Sequence, residues 1–126
     1  MTAIIVLDKK NGLTYCNQRG AEDKAIYDDI LTEFGKVYVS EYSLPLFHGD
    51  SRALSPIPPE ISEDDVLFLE MDNVPEDADK LIVYRWDCVY PADRKYNPYK
   101  YYWRLKKTET IVGITHTKIK KETYNK

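Results

Sequence analysis

The sequence predicts a single α/β domain built on a mixed sheet of about five strands, with one helix over residues 21–34 and a candidate C-terminal helix. Three observations carry that reading. Short apolar runs rich in β-branched and aromatic side chains, at 3–7, 66–69 and 81–86, have the length of buried strands rather than helices. Between the first two runs, Tyr27, Ile30, Leu31 and Phe34 recur at i, i+3, i+4 and i+7, which gives a helix with one apolar face. A chain of 126 residues is one domain by length and buries about two thirds of its unfolded surface without a disulfide or metal staple.

Residues 3–8 read as a buried strand that ends at Asp8-Lys9-Lys10-Asn11-Gly12, a turn in which Gly12 takes a positive φ. Leu13–Cys16 returns as a brief second strand. In the helix, Glu22 and Asp23 fall in the first turn, where the dipole favours negative charge, and Gly35 stands at the C′ position. Lys36–Ser40 is again a strand, and a strand, helix and strand in succession make a crossover with its two strands parallel. Residues 43–47 form a short helical turn, and Pro56-Ile57-Pro58-Pro59 is an extended spacer, because proline fixes φ and restrains its predecessor. Val66–Glu70 and Lys80–Trp86 are strands on either side of an acidic turn, 72–79. Residues 87–100, with two prolines and no steady period, form a long aromatic loop. Tyr102–Val112 has strand composition, and alternation puts Tyr101 and Trp103 on one face and Tyr102 on the other. Residues 115–124 are the candidate terminal helix.

Several function classes are excluded by composition. The first apolar run is too short and wrongly flanked for a signal peptide, and no stretch approaches a membrane span, so a cytoplasmic protein with no membrane partner is expected. Cys16 and Cys88 form no Cys-x-x-Cys pair and read as reduced thiols. With His48 and His116 they lack metal-ligand spacing, so no metal is expected, and scattered glycines build no phosphate loop, so no cofactor is expected either.

Charge is divided along the chain. Residues 1–79 hold 17 Asp/Glu against 6 Lys/Arg, and residues 80–126 hold 4 against 12. The basic part also carries both tryptophans and seven of the eleven tyrosines. Basic residues interleaved with rings suit a nucleic acid or another anion, through stacking and phosphate contacts. The same composition suits strands that pack against an acidic neighbour, and 60–79 supplies nine carboxylates with no Lys or Arg. Candidate binding residues are Arg19, Trp86, Tyr90, Asp93, Tyr99, Tyr101, Trp103, Arg104 and His116. Arg19 precedes the helix N-terminus, where it holds an anion or pairs with Glu22 and Asp23. Trp86 through Asp93 makes either a ligand rim beyond a strand end or a stapled loop, Asp93 accepting backbone N–H bonds in an Asx-type turn. His116 is the one histidine near the basic segment, as a general base or as a solvated side chain. No catalytic residue is assigned.

Two resemblances follow from these strings. Asn17-Gln18-Arg19 and Asp23, Tyr84-Arg85-Trp86, Tyr90-Pro91-Ala92-Asp93, and Gly113 with His116-Thr117-Lys118-Ile119 and Tyr124 resemble a family of small bacterial proteins often labelled ribonuclease Z. The activity in that label requires a His-x-His-x-Asp-His string for two zinc ions, which two histidines cannot supply. Ile5-Val6-Leu7-Asp8 with Asn11-Gly12-Leu13 is similar to the opening of dihydrofolate reductases, without the Pro-Trp and the paired glycines found there. The expected function is a non-catalytic binding module for a protein partner or a small anion. The alternatives are a single-stranded nucleic-acid-binding protein using 84–104, and an enzyme with a dihydrofolate-reductase-like fold whose site joins Arg19, Asp93 and His116.

Overall fold

A computed structural model describes all residues, 1–126. Its main sheet has seven strands, in the order β5 (Ala53–Leu54), β4 (Val37–Val39), β6 (Val66–Phe68), β1 (Thr2–Leu7), β7 (Lys80–Trp86), β10 (Ile119–Asn125), β9 (Arg104–Ile111). The first five are mutually parallel, and β10 runs antiparallel to both of its neighbours. A second, three-stranded sheet joins β3 (Gln18–Arg19), β2 (Gly12–Tyr15) and β8 (Arg94–Lys95). The expected parallel crossover is present, with β6 inserted between β1 and β4.

The sheet is larger than the five strands read from the sequence, and two element assignments change. Residues 119–125 form a strand rather than a terminal helix. Ile119 packs on one face and Tyr124 on the other, and pairing on both sides with β7 and β9 outweighs local propensity. The 87–100 loop contains β8, and Pro98–Tyr101 is a 3-10 turn. Tyr102 follows it at φ 68°, so the strand starts only at Arg104 and the expected alternation of Tyr101, Tyr102 and Trp103 does not occur. At the first turn Asn11, not Gly12, has the positive φ. Gly12 is needed for space, since a Cβ there would lie 2.6 Å from an Asp8 carboxylate oxygen.

The helix, α1 (Lys24–Phe34), starts three residues later than expected. Asp23 is its N-cap, accepting the Ala25 N–H at 2.9 Å, because a short carboxylate satisfies an otherwise orphaned donor. Gly35, at φ 75°, closes it by donating to the Leu31 carbonyl. Ile26, Tyr27, Ile30 and Leu31 cover one sheet face, against Ile4, Phe68, Ile82, Tyr84 and Trp86. Tyr27, Phe47 and Phe68 meet there with ring centroids 5.4–6.0 Å apart.

No helix covers the opposite face. Ala3, Ile5, Leu7, Leu67, Leu81 and Val83 are covered instead by loop residues Ile57, Ile61 and Val74 and by Tyr96 and Trp103 from the aromatic segment. Trp103 is only 2% exposed, and burying it contributes about 4 kcal/mol at about 25 cal/mol per Å². Loops, not a helix, close that face. No helix is long and apolar enough to cross a membrane.

The acidic 60–79 segment does not neutralise the basic strands as expected. Its ion pairs are Glu70 with Arg19 and Asp79 with the N-terminus. The basic strands find carboxylates elsewhere: buried Lys121 reaches Asp29 and Glu33 of α1 at 2.7 and 2.5 Å, and Arg85 reaches Glu122 at 3.0 Å. Register decides this, because β6 lies beside β1 and is separated from β10 by two strands.

Candidate functional site

The carboxyl ends of β1, β6 and β7 bring Asp8, Glu70 and Trp86 together. Asp8 is buried, and its two oxygens accept the N–H groups of Lys10 and Gly12 at 2.8 Å and Tyr90 at 3.0 Å. Burial alone would raise its pKa, but those N–H groups prevail and hold it below the ordinary value. Glu70 is likewise buried and grips the Arg19 guanidinium through two oxygens, at 2.7 and 2.8 Å, while accepting the Ser43 hydroxyl at 2.7 Å. The bond to Glu70 raises the Arg19 pKa, and the guanidinium also lies over the Tyr42 ring at 4.3 Å. This fork-on-fork pair occupies the crevice at the strand ends. The cavity left beside Tyr27 and Trp86 is about 20 Å³, room for a single water.

Behind Trp86 stands a hydrogen-bonded clamp. His116 stacks on the Trp86 ring with centroids 4.2 Å apart, and its Nε2 meets the Tyr90 hydroxyl at 2.8 Å. The Tyr90 hydroxyl is pushed up to about 12 by its neighbour Cys88 and by burial. Asp23 accepts the backbone N–H of Ile114, Thr115 and His116 at 2.8–3.0 Å in addition to the helix cap. Its burial favours the neutral acid, yet these donors hold it well below the usual carboxylate range. A Cβ on Gly113 would overlap the His116 carbonyl and the Asp23 carboxylate, so only glycine lets this turn close.

The space lined by the most aromatic rings is on the helix-free face. A groove of about 740 Å³ runs between the 72–76 loop and the aromatic segment, with Ile5 and Leu13 at its floor. Tyr96 and Tyr101 stack at 4.8 Å with their planes 3° apart, and the Tyr96 hydroxyl accepts the Trp103 indole N–H at 2.9 Å. Tyr102 stands on the rim, 85% exposed. A bulky residue held in the left-handed region with its ring in water is unusual, and such conformations gather at functional sites. Lys95, Arg94 and Lys126 bring positive charge, while Asp72 and Glu76 line the facing loop. Arg94 is committed to the Glu70 and Asp72 carbonyls at 2.6 and 2.9 Å, and Lys126 lies over the Trp103 ring at 4.7 Å.

The nine residues singled out from the sequence therefore divide. Tyr101 and Trp103 line the groove, Trp103 as a buried wall rather than an open stacking platform. Tyr99, 61% exposed, and Arg104, with no carboxylate partner, lie in the same segment outside the lining. Arg19 and Trp86 border the crevice, and Tyr90 and His116 belong to the clamp behind it. Asp93 accepts the Cys16 N–H at 3.1 Å, a staple between distant segments rather than a local Asx turn. Arg19, Asp93 and His116 share no hydrogen bond, so the three-residue site considered from the sequence is not assembled. Sequence reasoning missed Glu70, Ser43, Lys95, Tyr102 and Lys126 as site residues. Of these only Tyr102 and Lys95 lay in a segment with a signal, the run of rings and cations.

No protein-family model matches the chain, and no curated protein matches its sequence. Neither comparison supports the resemblance to the ribonuclease Z-labelled proteins. Among solved structures, a dihydrofolate reductase from Enterococcus faecalis complexed with NADP(H) and RAB-propyl is similar with a TM-score of 0.58 and 12% identity. The match covers 98% of this chain and 94% of that one. The chain has a dihydrofolate-reductase-like fold, in agreement with the resemblance in its opening residues, and at this identity the likeness concerns the fold alone.

Proposed function

We propose that the protein is a non-catalytic binding module whose groove on the helix-free face takes a small planar anion. The observation that carries this reading is a contrast within one fold. Open α/β sheets usually bind ligands in the crevice at their strands' carboxyl ends. Here that crevice is filled by the Arg19–Glu70 pair and Trp86, down to about 20 Å³. The groove offers about 740 Å³, in the ordinary range for a small-molecule site. A flat ring lies against Tyr101 and Tyr102, and an anionic group pairs with Lys95 and with Lys126, which also donates to the Glu76 carbonyl at 2.7 Å; neither lysine has a carboxylate partner. Asp72 and Glu76 on the other wall select a ligand of low charge over a polyanion.

A second reading, single-stranded nucleic acid, has one observation in its favour. Tyr99 and Tyr102 stand in solvent next to Lys100, Arg104 and Lys106, which have no carboxylate partners. An enzyme on the dihydrofolate-reductase-like fold is supported by the fold alone. Calorimetric titration with aromatic carboxylates, led by 2-naphthoate and controlled by its neutral amide, separates these. The proposal expects saturable naphthoate binding that weakens about tenfold, about 1.4 kcal/mol, in a Lys95→Ala/Lys126→Ala variant. No binding by any aromatic carboxylate, together with oligonucleotide binding that falls steeply with salt, would reject it in favour of the nucleic acid.

A further inference from the structure

We propose a second binding site, for a tetrahedral oxyanion such as inorganic phosphate or the phosphoryl group of a monoester. It lies in the hollow between the carboxyl end of β7, the start of β10 and the turn after β1. The hollow measures about 40 Å³ and is lined by Lys9, Arg85, Lys118 and Lys120, with the edge of Trp86 and with Asp87 as the one carboxylate among them. It shares no residue with the groove, so it stands or falls independently of the function proposed above.

Strand register makes the case. Lys120 stands directly opposite Arg85 on adjacent antiparallel strands, so both side chains leave the same face of the sheet. Like charges in that arrangement repel and destabilise the pairing. Arg85 cannot turn away. Its guanidinium, 14% exposed, is held by Glu122 at 3.0 Å, the Asp8 carbonyl at 2.8 Å and the Asn11 side chain at 3.0 Å. Lys118 and Lys120 are exposed and have no carboxylate partner, and Lys9 reaches Asp87 only at 3.9 Å. Even with Glu122 counted, the cluster of four cations and two carboxylates keeps two uncompensated positive charges. An oxyanion in the hollow turns this repulsion into shared charge-assisted hydrogen bonds, with Arg85 as the fixed donor and the lysines as arms that close on it. The volume is about twice that of the one-water cavity in the crevice and too small for a ring system. A single phosphoryl group fits, with any organic remainder outside.

The test is thermal unfolding of the full chain at constant ionic strength, with chloride replaced stepwise by inorganic phosphate or by phenyl phosphate. Phosphate at about ten times its dissociation constant is expected to raise Tm by about 4 °C. Lys120→Ala removes the like-charge pair, so its Tm in chloride is expected to be at or above that of the unsubstituted protein, while its phosphate-dependent rise is lost. Lys118→Ala, at an exposed position, is expected to lose part of the rise. A stronger effect of phenyl phosphate assigns the site to a phosphorylated organic ligand, and an effect of inorganic phosphate alone assigns it to the free anion. The proposal is overturned if neither compound exceeds matched chloride, or if Lys120→Ala keeps the full rise.

Discussion

Replacing Asp23 with alanine removes one side chain that ties two distant segments together. Its carboxylate caps α1 through Ala25 and holds the turn between β9 and β10 through the N–H groups of Ile114, Thr115 and His116, with the Thr115 hydroxyl at 3.1 Å. Loss of the cap costs about 1 kcal/mol. Each of the three turn N–H groups left without an acceptor costs about 1 kcal/mol more, less where water enters at the exposed Ile114. The expected total is about 3 kcal/mol. Urea unfolding of Asp23→Ala reads this as a lowered midpoint at unchanged slope. Amide exchange adds a local test, since residues 114–116 are expected to lose protection before the sheet does. A loss below about 1 kcal/mol, or unchanged exchange at 114–116, would refute the clamp.

Acid should act through the same side chain. Asp23 and Asp8 both have folded pKa values below their ordinary 3.8, so the stability they confer is complete above that value and is lost as pH falls below it toward their folded values. The urea midpoint is expected to hold between pH 7 and 5 and to drop below pH 4, less steeply in Asp23→Ala. At the crevice, Glu70→Ala strands the Arg19 guanidinium and should cost about 3 kcal/mol, whereas an Arg19→Leu/Glu70→Leu double variant should recover at least half of that in the same assay. Equal loss in both would show that the pair is not the issue. Tyr102→Gly relieves a left-handed residue at about 1 kcal/mol while loosening the unfolded chain by a similar amount. Its Tm should therefore stay nearly constant while naphthoate affinity falls about fivefold, from loss of a ring contact of about 1 kcal/mol.

Sequence reasoning succeeded where the information is local. The stripe from Tyr27 to Phe34 defines α1 by its own period, and the apolar run at 81–86 marks a central strand without reference to its partners. It failed where a distant partner decides. Ala53–Leu54 is a strand only because β4 lies beside it, and Arg94–Lys95 only because β2 does. The terminal Ile119–Asn125 has threonine, lysine and tyrosine in a pattern open to helix or strand, and two neighbouring strands settle it. The same limit applies to the site. The run of rings and cations located one wall of the groove, but its other wall is the acidic 72–76 loop and its edge is Lys126, which only the fold brings near. Charge composition likewise located the basic half while misplacing its partners. Asp29 and Glu33, on the helix, neutralise Lys121 in place of the 60–79 carboxylates.

The two tryptophans report on different cavities: Trp103 walls the groove, and Trp86 borders both the filled crevice and the basic hollow. A proton–nitrogen correlation spectrum followed during addition of 2-naphthoate, which lacks a phosphoryl group, therefore tests the central claim directly. Binding in the groove predicts that the Trp103 indole signal and the amides of 94–103 and 126 move together while the Trp86 indole stays in place. Movement of Trp86 and its neighbours at 19–21 and 69–70, with Trp103 unmoved, would contradict the account and return the ligand site to the strand ends.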